Sequence, residues 1–167
     1  QTDHSDTEVL LHGYREWGDA FVERLNGMWA FVIYDRTRQR LFGSRDRFGK
    51  KPLYYFHEGG TFGWASELPA LLQHPRCPRN LDALSLKKYF AYAYIPAPRS
   101  IYERVWKLPG GHNFSYELKN RELKTWRYWE FVIEPDEEAF IRYRKGMLFG
   151  DPSPDNLKLA EWDTRYE

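Results

Sequence analysis

Ser5-Asp6-Thr7-Glu8 places a serine three residues ahead of a glutamate, the pattern of a helix N-cap. A carboxylate fixed at that point, Asp6, can hold an ammonium group by charge-assisted hydrogen bonds. It can also simply complement the positive end of the helix dipole. The residues by themselves favour the second role. Arg45-Asp46-Arg47-Phe48-Gly49 is a dense charge cluster. It reads as a structural turn, with Asp46 bonding the loop backbone and Gly49 at positive φ. Cys77, the one cysteine, lies between Pro75 and Pro78. A single thiol makes no internal disulfide, and a metal site would need other ligands near it. Cys77 therefore reads as an incidental loop thiol. His4, His12, His57, His74 and His112 show no metal-ligand spacing, and no metal is expected. His112 reads as a hydrogen-bonding strand residue.

The elements around these residues follow from periodicity. Val9, Leu10, Tyr14, Trp17, Phe21 and Leu25 recur at intervals of three and four, which predicts an amphipathic helix. Gly18 should interrupt it, leaving a short second helix over 19–25, and Asn26-Gly27 should end it. The period then changes. Strands are predicted over 28–34, 40–44, 52–56 and 61–66, with Glu58-Gly59-Gly60 as a hairpin turn. Short turns between the four suggest an antiparallel meander. A short helix over 67–73 is expected, capped by Ser66. Asp82 should cap a helix running to about Tyr92, with Leu84, Leu86, Tyr89, Phe90 and Ala93 as its apolar set. Prolines 96 and 98 make 95–100 extended. A last hairpin is predicted over 112–116 and 123–129. The aromatics Trp17, Trp29, Phe31, Tyr54 and Trp64 fall at core-facing positions. The sum is an α+β domain.

Composition bounds the function. The chain has 167 residues, 25 basic and 24 acidic, for a net charge of +1. That balance supplies no bulk attraction to nucleic acid or an anionic membrane, so neither is an expected partner. The apolar runs are too short to cross a bilayer. A cytoplasmic location is the expectation.

Five segments carry a resemblance: 5–35 (SDTEVLLHGYREWGDAFVERLNGMWAFVIYD), 40–55 (RLFGSRDRFGKKPLYY), 64–72 (WASELPALL), 94–112 (YIPAPRSIYERVWKLPGGH) and 126–129 (WRYW). In order and spacing, over most of residues 5–130, the chain resembles class II, N-terminal-nucleophile glutamine amidotransferase domains of the asparagine-synthetase type. Lys50-Lys51 and the Gly-Gly of LPGGH depart from the usual pattern.

The resemblance implies part of an αββα sandwich. It implies glutamine as substrate, with Asp6 holding its α-ammonium group. The family's nucleophile is a cysteine at the start of the mature chain, whose own α-amino group serves as base. Residue 1 here is Gln. The family's arginine and Asn-Gly-Glu segment would also precede it. The expectation is an N-terminally truncated fragment, without catalytic residues and inactive alone. Half a sandwich should leave a sheet face uncovered and the fragment marginally stable. Residues 1–133 are read as the C-terminal part of the amidotransferase domain, and 134–167 as a linker or atypical tail. That tail includes a helix over 136–143 and a stretch, 144–167, of unassigned origin. The family pairs this domain with a synthetase domain that binds ATP and magnesium, through a Ser-Gly-Gly-x-Asp-Ser loop that this sequence does not contain. No cofactor is expected in the chain itself, and a homodimer is left open. Two alternatives stand beside this reading: an amidotransferase with another ammonia acceptor, and a degenerate, non-enzymatic scaffold.

Overall fold

The computed structural model describes residues 5–132, together with Glu138 and Ile141. The chain divides into two compact units, Gln1–Glu130 and Phe131–Glu167. Every element below belongs to the first. The helix expected over 136–143 and the tail 144–167 lie outside the described residues, save for Glu138 and Ile141.

Helix α1 (Asp6–Trp17) starts at the N-cap Ser5, whose side chain accepts from the Glu8 N–H at 3.4 Å. The capping box is not reciprocal, because Glu8 turns along the helix to His12 at 3.4 Å. Gly18, at φ 60°, closes α1, and the chain continues as a 3-10 helix over Gly18–Arg24. The strands are β1 (Ala30–Asp35), β2 (Arg40–Arg45), β3 (Tyr54–Glu58), β4 (Thr61–Ala65), β5 (Val105–Lys107), β6 (His112–Glu117) and β7 (Glu122–Arg127). Between β4 and β5 lie α2 (Leu68–Leu71) and α3 (Ala83–Tyr92).

The strands do not form one meander. They make two antiparallel sheets, ordered β1-β2-β6-β7 and β4-β3-β5. The expected meander fails between β2 and β3, where residues 46–53 cross from one sheet to the other. Alternation along the strands is the same whichever neighbour a strand takes, so it could not reveal the crossing. Strand β5, only three residues long, was not anticipated. The cap of α2 also differs. Glu67 occupies it and makes no side-chain bond, so Ser66 is not the N-cap.

Both faces of each sheet carry packed side chains. Val32, Leu41 and Phe114 of the first sheet meet Tyr55 and Phe62 of the second in a shared interior that also buries Leu53 and Leu108. On the outer face of the first sheet, Phe31, Ile33 and Phe42 pack against Tyr14 of α1 and Phe21 and Val22 of the 3-10 helix. On the outer face of the second, Phe56 and Val105 pack against Leu71 of α2 and Cys77. Successive residues thus point to opposite layers, and the four layers read helix, sheet, sheet, helix. The uncovered face anticipated for a half-sandwich is found only in part: Tyr34 of β1 and Trp64 of β4, on the same strand faces as the interior residues Val32 and Phe62, stay 51% and 41% exposed. Phe42, Phe56 and Phe114 are fully buried, each contributing about 1.5–3 kcal/mol.

Not every expected core aromatic is inside. Trp17 and Trp64 are exposed by 49% and 41%. Trp17 lies against the Arg24 guanidinium, 4.6 Å from its ring centre, and Trp64 stacks on Phe62. Both rings are large enough to pack one face and leave the other in water.

Both connections between the sheets, residues 46–53 and 108–111, are tied at one place. Arg45 donates from Nε to the Lys51 carbonyl (2.6 Å), from Nη1 to that of Leu108 (2.5 Å) and from Nη2 to that of Gly49 (2.6 Å). The Asp46 carboxylate accepts from the backbone N–H groups of Lys50 and Lys51, each at 2.9 Å. Its carbonyl accepts from Gly49 (3.0 Å) and Gly111 (2.9 Å). Gly49 sits at φ 63°. The Arg-Asp-Arg cluster is therefore the structural turn its composition suggested.

Candidate functional site

Asp6 lies in the first turn of α1, exposed, where the partial positive charge of the helix end favours a carboxylate. It opens on a cleft of about 260 Å³ that it shares with Val9, Leu10, Leu25, Asn26, Met28 and Trp29. α1 supplies one wall, and the segment linking the 3-10 helix to β1 supplies the other. Among the described residues Asp6 forms no ion pair.

The floor is rigid. Trp29 Nε1 donates to Ser44 Oγ at 3.0 Å, and its ring stacks on Tyr128 at 6.4 Å. The Tyr128 hydroxyl donates to the Arg45 carbonyl at 2.9 Å. Burial pushes Tyr128 up to about 12, so it stays a neutral donor.

A second network fixes α1 against the sheet. The Tyr14 hydroxyl donates to Asp35 Oδ2 at 3.0 Å and accepts from Arg40 Nη2 at 2.8 Å. Arg40 also pairs with Asp19 of the 3-10 helix. Burial raises Tyr14, with Arg40 opposing the rise. Burial opposes ionisation of Asp35 too. The Arg38 N–H, the Tyr14 hydroxyl, the Thr37 N–H and the Arg38 charge outweigh it, and the carboxyl lies below its ordinary range.

The arrangement is suited to binding. A carboxylate, the Asn26 amide and an apolar wall can seat a small molecule with an ammonium head group. The cleft holds no thiol. Cys77 is buried on the outer face of the second sheet, and burial raises its pKa, with the Arg79 charge opposing the rise. A thiol so placed has little nucleophilic thiolate. His112 hydrogen-bonds the Gly110 carbonyl through Nδ1 at 2.8 Å, an ordinary role at the start of a strand. Of the residues weighed for chemistry from the sequence (Asp6, Asp46, Cys77 and the histidines), Asp6 alone lines this cleft, beside Val9, Leu10 and Leu25 of the helical apolar set. Asn26, Met28 and Trp29 were not anticipated as its lining. Asn26-Gly27 had been read only as the end of a helix, and Trp29 as part of an apolar strand.

Comparison with known proteins places this geometry in context. A family model described as a glutamine amidotransferase domain matches residues 1–129. The chain belongs to that family. It is 40% identical over 150 residues to a putative glutamine-hydrolyzing asparagine synthetase 2 from Methanocaldococcus jannaschii, covering 87% of this chain and 29% of that protein. It is 36% identical over 137 residues to the glutamine-hydrolyzing asparagine synthetase 3 of Bacillus subtilis, covering 81% of this chain and 22% of that protein. The chain thus spans less than a third of the length of these relatives. The solved glutamine phosphoribosylpyrophosphate amidotransferase of B. subtilis superposes with a TM-score of 0.48 at 20% identity, over 77% of this chain and 24% of that one. That likeness is too distant to carry an argument.

Proposed function

We propose that this chain is the glutamine-binding part of the amidotransferase domain of an asparagine synthetase. In the whole protein, glutamine hydrolysis would deliver ammonia to a synthetase domain that amidates aspartate using ATP and magnesium, in the cytoplasm. The observation that carries the reading is Asp6. Its carboxylate stands at a capped helix start and opens on a small cleft of mixed polarity. Its part is to hold the substrate's α-ammonium group, orienting the side-chain amide toward a nucleophile supplied from outside residues 5–132.

The test is a chimera in which residues 1–132 replace the matching stretch of the M. jannaschii relative. Asp6→Asn keeps the shape of the side chain and removes its charge. A hydrogen bond to a charged group is worth about 1.5–3 kcal/mol, so KM for glutamine should rise roughly 10- to 100-fold. Synthesis from added ammonia should be unchanged. An unaltered glutamine KM overturns the role of Asp6.

A further inference from the structure

Helix α3 is amphipathic by sequence, yet of its ten residues only Ser85 is buried. Leu84, Leu86, Tyr89, Phe90 and Tyr92 are exposed, and so is Tyr94 just beyond the helix. Phe90 is exposed by 78%. Leu86, Tyr89 and Phe90 follow a spacing of three and four, so they share one face of the helix. Contiguous exposed apolar surface of this kind marks an interaction site.

The face is bare, but its base is built. Asp82 caps α3, accepting from the Leu84 N–H (3.2 Å), the Ser85 hydroxyl (2.6 Å) and Arg99 Nη1 (2.7 Å). Backbone bonds tie the preceding segment to the loop before β5, from Asp82 N–H to the Ile101 carbonyl (2.9 Å) and from Glu103 N–H to that of Asn80 (2.8 Å). Lys107 Nζ donates to the Ile95 carbonyl on the far side of the helix (2.5 Å). The helix is held at both ends while, among the described residues, its apolar flank stays exposed. Lys87 and Lys88 are the only charged residues in 83–94, and neither forms an ion pair among the described residues.

We propose that the exposed face of α3 is the seat of the synthetase portion of the full-length enzyme. The relatives contain more than twice as much chain outside the matched stretch as within it, so in them a large body is tethered to the matched domain and within reach of such a face. The occupant presents an apolar surface with acidic groups opposite Lys87 and Lys88. The inference rests on the amidotransferase reading and adds the surface through which that domain meets its partner.

Hydroxyl-radical labelling tests it. Side chains at 86, 89, 90, 92 and 94 should be modified several-fold more slowly in the chimera than in the 167-residue chain. Equal rates overturn the proposal. Slow labelling in the 167-residue chain alone also overturns it, because a second copy or the chain's own tail then covers the face. A second measurement needs no chimera. Leu86→Ser/Phe90→Ser in the 167-residue chain should leave its melting temperature unchanged and raise its solubility. Unfolding of that variant would place α3 in the domain's own core and overturn the idea. Glutamine KM in the chimera is read separately. Protection at α3 with an unmoved Asp6→Asn KM would sink the substrate role and leave the docking surface standing.

Discussion

Phe114 on β6 lies directly across from Gly43 on β2, its register partner, with its ring occupying the space where a side chain at 43 would stand. The second sheet repeats the device, with the Phe56 ring over Gly63, its partner on β4. In each sheet a fully buried phenylalanine covers a strand glycine. Gly43→Ala would drive a methyl group into the Phe114 ring, in the interior between the sheets. Overpacking of this kind costs about 1–3 kcal/mol. Chemical denaturation should show that loss with an unchanged m-value.

Tyr14→Phe keeps the ring against Phe42 and removes the hydroxyl that joins Asp35 to Arg40. The Arg40 guanidinium, already carrying a buried Nε without a partner, then loses another. We expect a loss of about 1–2 kcal/mol. Thermal melting should fall by roughly 2–8 °C for a domain of this size.

Acid stability follows from two carboxylates. The Ser85 hydroxyl and then Arg99 and the Leu84 N–H, against some burial, hold Asp82 below its ordinary value. Asp35 is lowered as well. Depressed folded-state values mean that both groups bind protons more readily in the unfolded chain. Their stabilisation is complete above the ordinary carboxylate value of about 3.9 and disappears as pH falls through the lower folded values. Urea midpoints should decline as pH falls below about 4. Asp82→Asn should start lower and lose less over the same fall.

The 167-residue chain should release no ammonia from glutamine above the level of Cys77→Ala. Cys77 is 4% exposed, among Phe56, Leu71 and Val105. Removing its sulfur should cost about 1 kcal/mol of stability, as small truncations in a core do. Ammonia release that vanishes in the variant would overturn this account of the thiol.

Local chemistry in the sequence revealed the pieces better than their assembly. Ser5 and Asp82 as caps, Gly59-Gly60 as a hairpin turn and Asp46 as a loop organiser are dictated by neighbours a few residues away, and each is found in that role. Division of the strands into two sheets was hidden, because Val32 and Phe56 alternate with their neighbours in the same way although they belong to different sheets and different layers. Periodicity in α3 announced an apolar face without saying whether this chain covers it. The cleft beside Asp6 was half legible. The carboxylate stood out, but Asn26 and Trp29 reach it only through the path of the chain between the 3-10 helix and β1.

Arg45 gathers carbonyls from both crossings between the sheets. Sliding one sheet over the other by a single residue, about 3.3 Å, would pull the Leu108 carbonyl, at the end of β5, away from Arg45. The sandwich is thereby keyed, like two plates pinned at one corner. Trp29, the floor of the Asp6 cleft, accepts at its carbonyl from the Asp46 N–H at 2.9 Å, right beside that pin. A ligand held in that cleft would rest on a residue bonded directly into the corner where the two sheets are pinned together.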